Sequence, residues 1–275
     1  MILLPGLGGD ARYYADLVHR LDDDQPVYVF RPLGLDQDVP PHVTIAEMTS
    51  AYLPALRELQ PVGPYHLAGW STGGTFAFAL AEALEREGEE VAVLALMDSP
   101  LPSICDEINL EHNARFFCDL INFANRCAGA DVSINYEKIA RLPVGEQFAA
   151  VLDEARATGM VPAEMPESFM RQIVRVGEGN VRALQSYRPS AIVAPILFFV
   201  PEIKEALAEL SGRAASSDED LGWSREVGQP AELRTVPGDH FSMMGGKSAA
   251  LIAQDLARLL NGSHRVGGKP QTAAK

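Results

Sequence analysis

Long apolar runs are missing from this sequence. The longest, residues 192–200, is interrupted by Pro195 and is too short to cross a bilayer, which excludes a helical membrane anchor. Basic charge is scarce as well. Twenty-three Lys and Arg stand against 37 Asp and Glu, a net charge of −14 that would repel a phosphate backbone and excludes nucleic acid as a partner. There are three cysteines, Cys105, Cys118 and Cys127. Their spacing matches no zinc pattern, so no metal is expected, and an odd count without a basic, then apolar leader points to reduced thiols in a cytoplasmic setting. The chain opens directly on Ile2-Leu3-Leu4, which reads as a strand with no lead-in. A domain cut from a longer polypeptide, with Met1 added, is the expectation.

What is present is a globular composition, 47% apolar over 275 residues. Short apolar runs alternate with helical patterns. Residues 2–6 read as a strand ending in a glycine loop, 10–21 as a helix with an apolar stripe, and 26–32 as a strand. Residues 44–59 read as a helix with a capping box, Thr44 with Glu47 three residues on. Residues 65–69 form the next strand, 72–87 an Ala-rich helix stopped by Gly88, and "VAVLALMD" a run apolar enough to be covered on both faces. This rhythm predicts a parallel sheet with right-handed crossovers. It is interrupted by helices alone, at 104–128, 145–158 and 167–187. It resumes with a strand at 195–200, a helix at 202–210, a polar loop at 211–220, a strand at 232–238 and a helix at 247–260. The organisation expected is a core in two parts, residues 1–100 and 191–262, a helical lid insertion at 101–190, and a flexible tail at 263–275. Ligands of such sheets bind outside the carboxyl ends of the strands, where the insertion would cover them.

The chemistry centres on Gly69-Trp70-Ser71-Thr72-Gly73. Gly-x-Ser-x-Gly between a strand and a helix is a nucleophile elbow, with glycines where side chains would collide across the turn. A serine needs a base oriented by an acid, in the chain order Ser, acid, His. Asp98 ends the next strand and is the acid. Among six histidines, His240 follows the last strand and is the base. His112, in the insertion, is the other histidine placed to line a cavity, and Asp239 competes with Asp98 but more readily ties down its own loop. Two backbone N–H groups are needed to hold an oxyanion. Thr72, after the nucleophile, supplies one, and Leu7 in "PGLGG" the other.

The stretch "GPYHLAGWSTGGTFAFALAEALEREGEEVAVLALMDSP", the histidine loop "VPGDHFSMM" and the start "LLPGLGGDARYYADLVHRL" together resemble the terminal thioesterase domains of modular polyketide synthases and nonribosomal peptide synthetases. The resemblance implies an α/β-hydrolase fold, a mostly parallel sheet with helices on both faces and a helical lid. It implies a Ser71 acyl-enzyme that releases a polyketide or peptide chain by hydrolysis or macrocyclisation. No cofactor is implied, since the substrate arrives on the phosphopantetheine arm of an acyl or peptidyl carrier protein upstream in the same polypeptide. An arginine run, Arg171, Arg175 and Arg182, stands out in an acidic chain. It is either a solvated helix face or a landing strip for the carrier. Alternatives are acyl transfer to a separate alcohol or amine, a stand-alone editing thioesterase, a general esterase, and a non-catalytic relative that only binds.

Overall fold

A computed structural model describes residues 1–127, 132–203 and 219–266. Six strands form one sheet: β1 (Ile2–Leu4), β2 (Tyr28–Val29), β3 (Tyr65–Trp70), β4 (Val91–Met97), β5 (Ile196–Pro201) and β6 (Glu232–Val236). Their order is β2-β1-β3-β4-β5-β6, and every neighbouring pair is parallel. The central strands are buried on both faces. Leu94 and Leu96 of β4 and Phe198 of β5 pack on one side with the helices α2 (Ile45–Leu59) and α3 (Thr72–Arg86). Val93, Ala95, Met97, Leu197 and Phe199 pack on the other, against Leu17 of α1 (Ala15–Val18) and Ile252 and Leu256 of the C-terminal helix, Gly246–Val266. Alternate residues thus point into two cores, which is why these strands read as unbroken apolar runs.

Local chemistry sets the helix ends. Thr44 Oγ1 accepts from Glu47 N–H, and the Glu47 carboxylate accepts from Thr44 N–H, both at 3.1 Å, closing the expected capping box. After α3, Gly88 takes φ +83°, its N–H bonds to Glu85 and that of Glu89 to Leu84, a Schellman stop that favours glycine.

Between β4 and β5 lie a 3-10 turn (Pro102–Cys105), α4 (Asn113–Cys127), α5 (Tyr136–Ile139), α6 (Val144–Ala157) and α7 (Glu167–Gln185). The helix expected over 104–128 is therefore shorter. The Gln185 amide takes the carbonyls of Cys105 and Ile108, which holds the first part as a loop until Asn113. The helix expected over 10–21 is broken too, into a 3-10 turn (Arg12–Tyr14) and the single turn of α1. The strand expected over 26–32 shrinks to Tyr28–Val29, an edge pairing flanked by Pro26 and Pro32, neither of which has an N–H to give. α8 (Trp223–Val227) precedes β6, and the C-terminal helix, α9, reaches Val266, four residues into the segment read as a tail. Most of the expected helix at 202–210, most of the loop at 211–220 and the rest of the tail lie outside the described residues. Among the described residues no helix is long and apolar enough to cross a membrane.

Candidate active site

Ser71 sits between the last residue of β3 and the first of α3, at φ 57° and ψ −138°. A non-glycine residue adopts such a conformation only when its surroundings compel it. Here the compulsion is steric. A Cβ on Gly69 would lie 2.1 Å from the Gly73 backbone, and one on Gly73 would lie 2.3 Å from the Leu4 carbonyl. Strand and helix can cross this closely only with glycine at both positions. Gly74, not singled out above, is equally required, since its Cβ would lie 1.9 Å from Ser99 Oγ.

Asp98 follows β4 directly, with its N–H bonded to the Phe199 carbonyl and its φ at 42°. Ser99 then ties the two strand ends together: its hydroxyl reaches the Gly69 carbonyl at 3.2 Å and its own carbonyl accepts from Trp223 Nε1 at 2.8 Å. His240 arrives on the loop after β6. The Asp239 carboxylate accepts the N–H groups of Phe241 and Ser242, and Ser242 Oγ accepts that of Asp239, so Asp239 shapes the loop. The Trp70 indole lies 4.8 Å from the His240 ring and donates to the His240 carbonyl at 2.8 Å.

These supports bring three side chains from three strand ends into one chain of hydrogen bonds. Asp98 Oδ2 is 2.7 Å from His240 Nδ1, and His240 Nε2 is 3.1 Å from Ser71 Oγ. A carboxylate can only accept, so the Nδ1 proton faces Asp98 and Nε2 is left as an acceptor for the serine hydroxyl. Asp98 and His240 are almost wholly buried, at 6% and 2% exposure, so water weakens neither contact. Phe123 of α4 covers the His240 ring at 5.8 Å, and Phe241 packs edge-on to it at 5.3 Å. The arrangement can deprotonate a hydroxyl and stabilise the imidazolium that forms.

Thr72 opens α3, whose N-terminus favours negative charge. Leu7 lies in a turn closed by the Gly9 N–H to the Gly6 carbonyl at 2.9 Å. Among the described residues, neither the Leu7 nor the Thr72 backbone N–H donates to another group. His112 is not brought to the site: it is exposed at the start of α4, where its carbonyl accepts from Phe116 N–H. The arginine run is not a bare basic strip. Arg171 pairs with Glu167 at 2.6 Å and stacks on Phe148, and Arg175 pairs with Asp38 at 2.7 Å. Arg182 is exposed, beside Glu178. Among the described residues no cluster of three or more His, Cys, Asp or Glu could hold a metal. Burial pushes the Cys105 thiol up to about 12 and Cys118 to about 11, far from reactive.

Residues 1–263 match the family model of the thioesterase domain. The chain belongs to that family. It is an α/β-hydrolase-type thioesterase acting on acyl thioesters. It is similar to malpibaldin synthetase of Mortierella alpina, 44% identical over 258 residues, 91% of this chain and 4% of the synthetase. Chondramide synthase of Chondromyces crocatus is 25% identical over 92% of this chain and 6% of its own length. Among solved structures, a four-domain nonribosomal peptide synthetase bound to AMP and glycine superposes with a TM-score of 0.79 at 25% identity, covering 94% of this chain and 19% of the other. The NocB thioesterase domain, in covalent complex with a fluorophosphonate nocardicin G analog, superposes at 0.61 with 21% identity, over 97% and 94%. The thioesterase thus spans a small part of the multidomain relatives it matches.

Sequence reasoning missed the residues that brace this site. Tyr14 donates to the Leu4 carbonyl at 2.6 Å and accepts from Trp70 N–H at 2.7 Å, linking the β1 and β3 ends. Tyr14 read only as a member of the apolar stripe over 10–21, Phe123 only as part of the helix expected over 104–128, and Trp223 lay in no expected element. Asn180, 3% exposed on the buried face of α7, carried a signal that went unused, because a polar residue in that position must find a partner.

Proposed function

We propose that Ser71 is the nucleophile of a two-step acyl transfer that off-loads a peptide or polyketide chain from a carrier protein. His240 takes the Ser71 proton as Oγ bonds to the thioester carbonyl carbon. The N–H groups of Leu7 and Thr72 hold the oxyanion, the C–S bond breaks, and the leaving thiolate takes the proton from His240. Asp98 keeps the imidazole in the required tautomer throughout. In the second step His240 deprotonates the incoming nucleophile and returns the proton to Ser71 Oγ. The observation that carries the reading is the unbroken Asp98–His240–Ser71 hydrogen-bond chain beneath a strained serine. Relatives named as nonribosomal peptide synthetases support the substrate class, and the resemblance to the terminal thioesterase domains of such synthetases implies a chain delivered as a thioester on a carrier protein.

The walls of the site favour one route for the second step. Trp70, Phe123 and Phe241 enclose the His240 ring. An apolar enclosure limits water at Nε2 and favours a hydroxyl or amine carried on the acyl chain itself, which gives a ring. Carrier docking falls to the exposed Arg182 side of α7. The test is labelling with a fluorophosphonate together with turnover of an acyl N-acetylcysteamine thioester, with products separated into linear and cyclic. Wild type labels and turns over, whereas Ser71→Ala does neither. Equal turnover by Ser71→Ala would overturn the assignment.

A further inference from the structure

Helix α7 belongs to the insertion, yet it grips the loop that carries Leu7. Asn180 Nδ2 donates to the Leu7 carbonyl at 2.6 Å, across 173 residues of sequence. Ile173, two turns earlier, fills the space beside Gly8: a Cβ there would lie 2.8 Å from Ile173 Cγ2. Gly177, between them, faces the same turn, where a Cβ would make only an ordinary 3.8 Å contact with the Leu7 carbonyl oxygen, and its tight neighbour is instead the Phe116 ring of α4 at 3.2 Å. Two positions on one face of α7, 173 and 180, therefore seat the Gly6–Gly9 turn. The turn supplies only one internal hydrogen bond of its own, Gly9 to Gly6. With glycine at three of its four positions it is otherwise free to rotate its peptide planes.

We propose that Asn180 is a positioning residue for the oxyanion donor of Leu7, so that the insertion helix, and not only the β1 loop, sets the catalytic geometry. The inference rests on the reading of Leu7 as an oxyanion donor. Asn180 touches no reacting atom. It fixes the Leu7–Gly8 peptide plane, and through it the direction in which the preceding Leu7 N–H points. An acyl chain that shifts α7 would loosen the donor, and one that leaves α7 seated would keep it, so the helix couples lid position to rate.

The experiment compares wild type, Asn180→Ala and Asn180→Asp in the intact domain. It reads the rate of fluorophosphonate labelling, the phosphorus-31 resonance of the Ser71 adduct, and kcat and KM for an acyl N-acetylcysteamine thioester. Deleting one oxyanion donor outright costs about 10²–10³ in kcat, so loosening one is expected to slow labelling and kcat about 10-fold. KM stays within about two-fold, and the adduct resonance moves because the phosphonyl oxygen loses a hydrogen bond. Asn180→Asp has the same shape but sets a carboxylate oxygen against the Leu7 carbonyl, so it should be slower than Asn180→Ala. Wild-type labelling rate and resonance in both variants would overturn the inference while leaving the Ser71 reading intact. A wild type that does not label at all would remove the Ser71 reading, and this one with it.

Discussion

The indole of Trp70 donates to the backbone carbonyl of His240 at 2.8 Å, so the residue before Ser71 holds the loop that carries His240. Trp70→Phe keeps an aromatic ring against the imidazole but leaves a buried carbonyl unpaired, at a cost of about 1–3 kcal/mol. In a chain of this length that lowers Tm by about 2–4 °C for each kcal/mol. The loop then wanders, and kcat for a small thioester is expected to fall about 10-fold with KM little changed, as for a base held less well in place. Thermal melts and steady-state kinetics on the same preparation check both parts.

Asp98 and Asp239 are both carboxylates near His240, and the geometry separates them. Asp98 faces Nδ1 at 2.7 Å, whereas Asp239 is spent on the N–H groups of Phe241 and Ser242. Asp98→Asn presents an amide that can donate to Nδ1, which forces the proton to Nε2 and removes the acceptor from Ser71. A loss of about 10⁴ in kcat is expected, the size such tautomer reversals reach. Asp239→Asn keeps an acceptor oxygen for the loop and is expected to cost less than about 10-fold. Steady-state kinetics of the two variants side by side, with equal losses, would show that Asp98 is not the orienting group.

The central strands, and the three residues Ser71, Asp98 and His240 that their ends bring together, were legible because each rests on a local pattern. β4 reads as a seven-residue apolar run because Leu94 and Leu96 enter one core while Val93 and Ala95 enter the other. The elbow reads from Gly69 and Gly73 because their Cβ atoms would strike backbone. What was not legible depends on contacts distant in sequence. Residues 106–112 carry Ile108 and Leu110 and mimic a helix start, yet Gln185, some 80 residues on, holds the carbonyls of Cys105 and Ile108. The first helix breaks where Tyr14 turns its hydroxyl to Leu4 and Trp70, a demand set by β3 and invisible in the 10–21 stripe.

Thr72 Oγ1 is buried and has no hydrogen-bond partner among the described residues. The residue's proposed part in the chemistry belongs to its backbone N–H, which every residue but proline has. Thr72→Val replaces an unsatisfied hydroxyl with a methyl of the same shape, so it is expected to hold or raise Tm and to leave kcat within about two-fold. Ser71→Ala, one residue away, should abolish turnover. A large kcat loss in Thr72→Val at unchanged Tm would show that the hydroxyl itself takes part.

Arg182 and Arg171 lie on the same helix and differ in what they touch. Arg171 is held by Glu167 at 2.6 Å and lies 4.1 Å over the Phe148 ring, so its charge is already answered and its stem packs. Arg182 is exposed at the end of the helix near Glu178, in a chain whose net charge is −14. An acidic carrier approaching this face would be attracted at Arg182. Arg182→Glu is therefore expected to raise KM for a carrier-bound substrate several-fold, more at low salt than at high salt, as screening shortens the reach of the charge. It should leave kinetics on an acyl N-acetylcysteamine thioester unchanged, because that substrate has no carrier to dock. Arg171→Glu should instead lower Tm and affect both substrates alike. If Arg182→Glu changed the small thioester as much as the carrier-bound one, docking would not be its role.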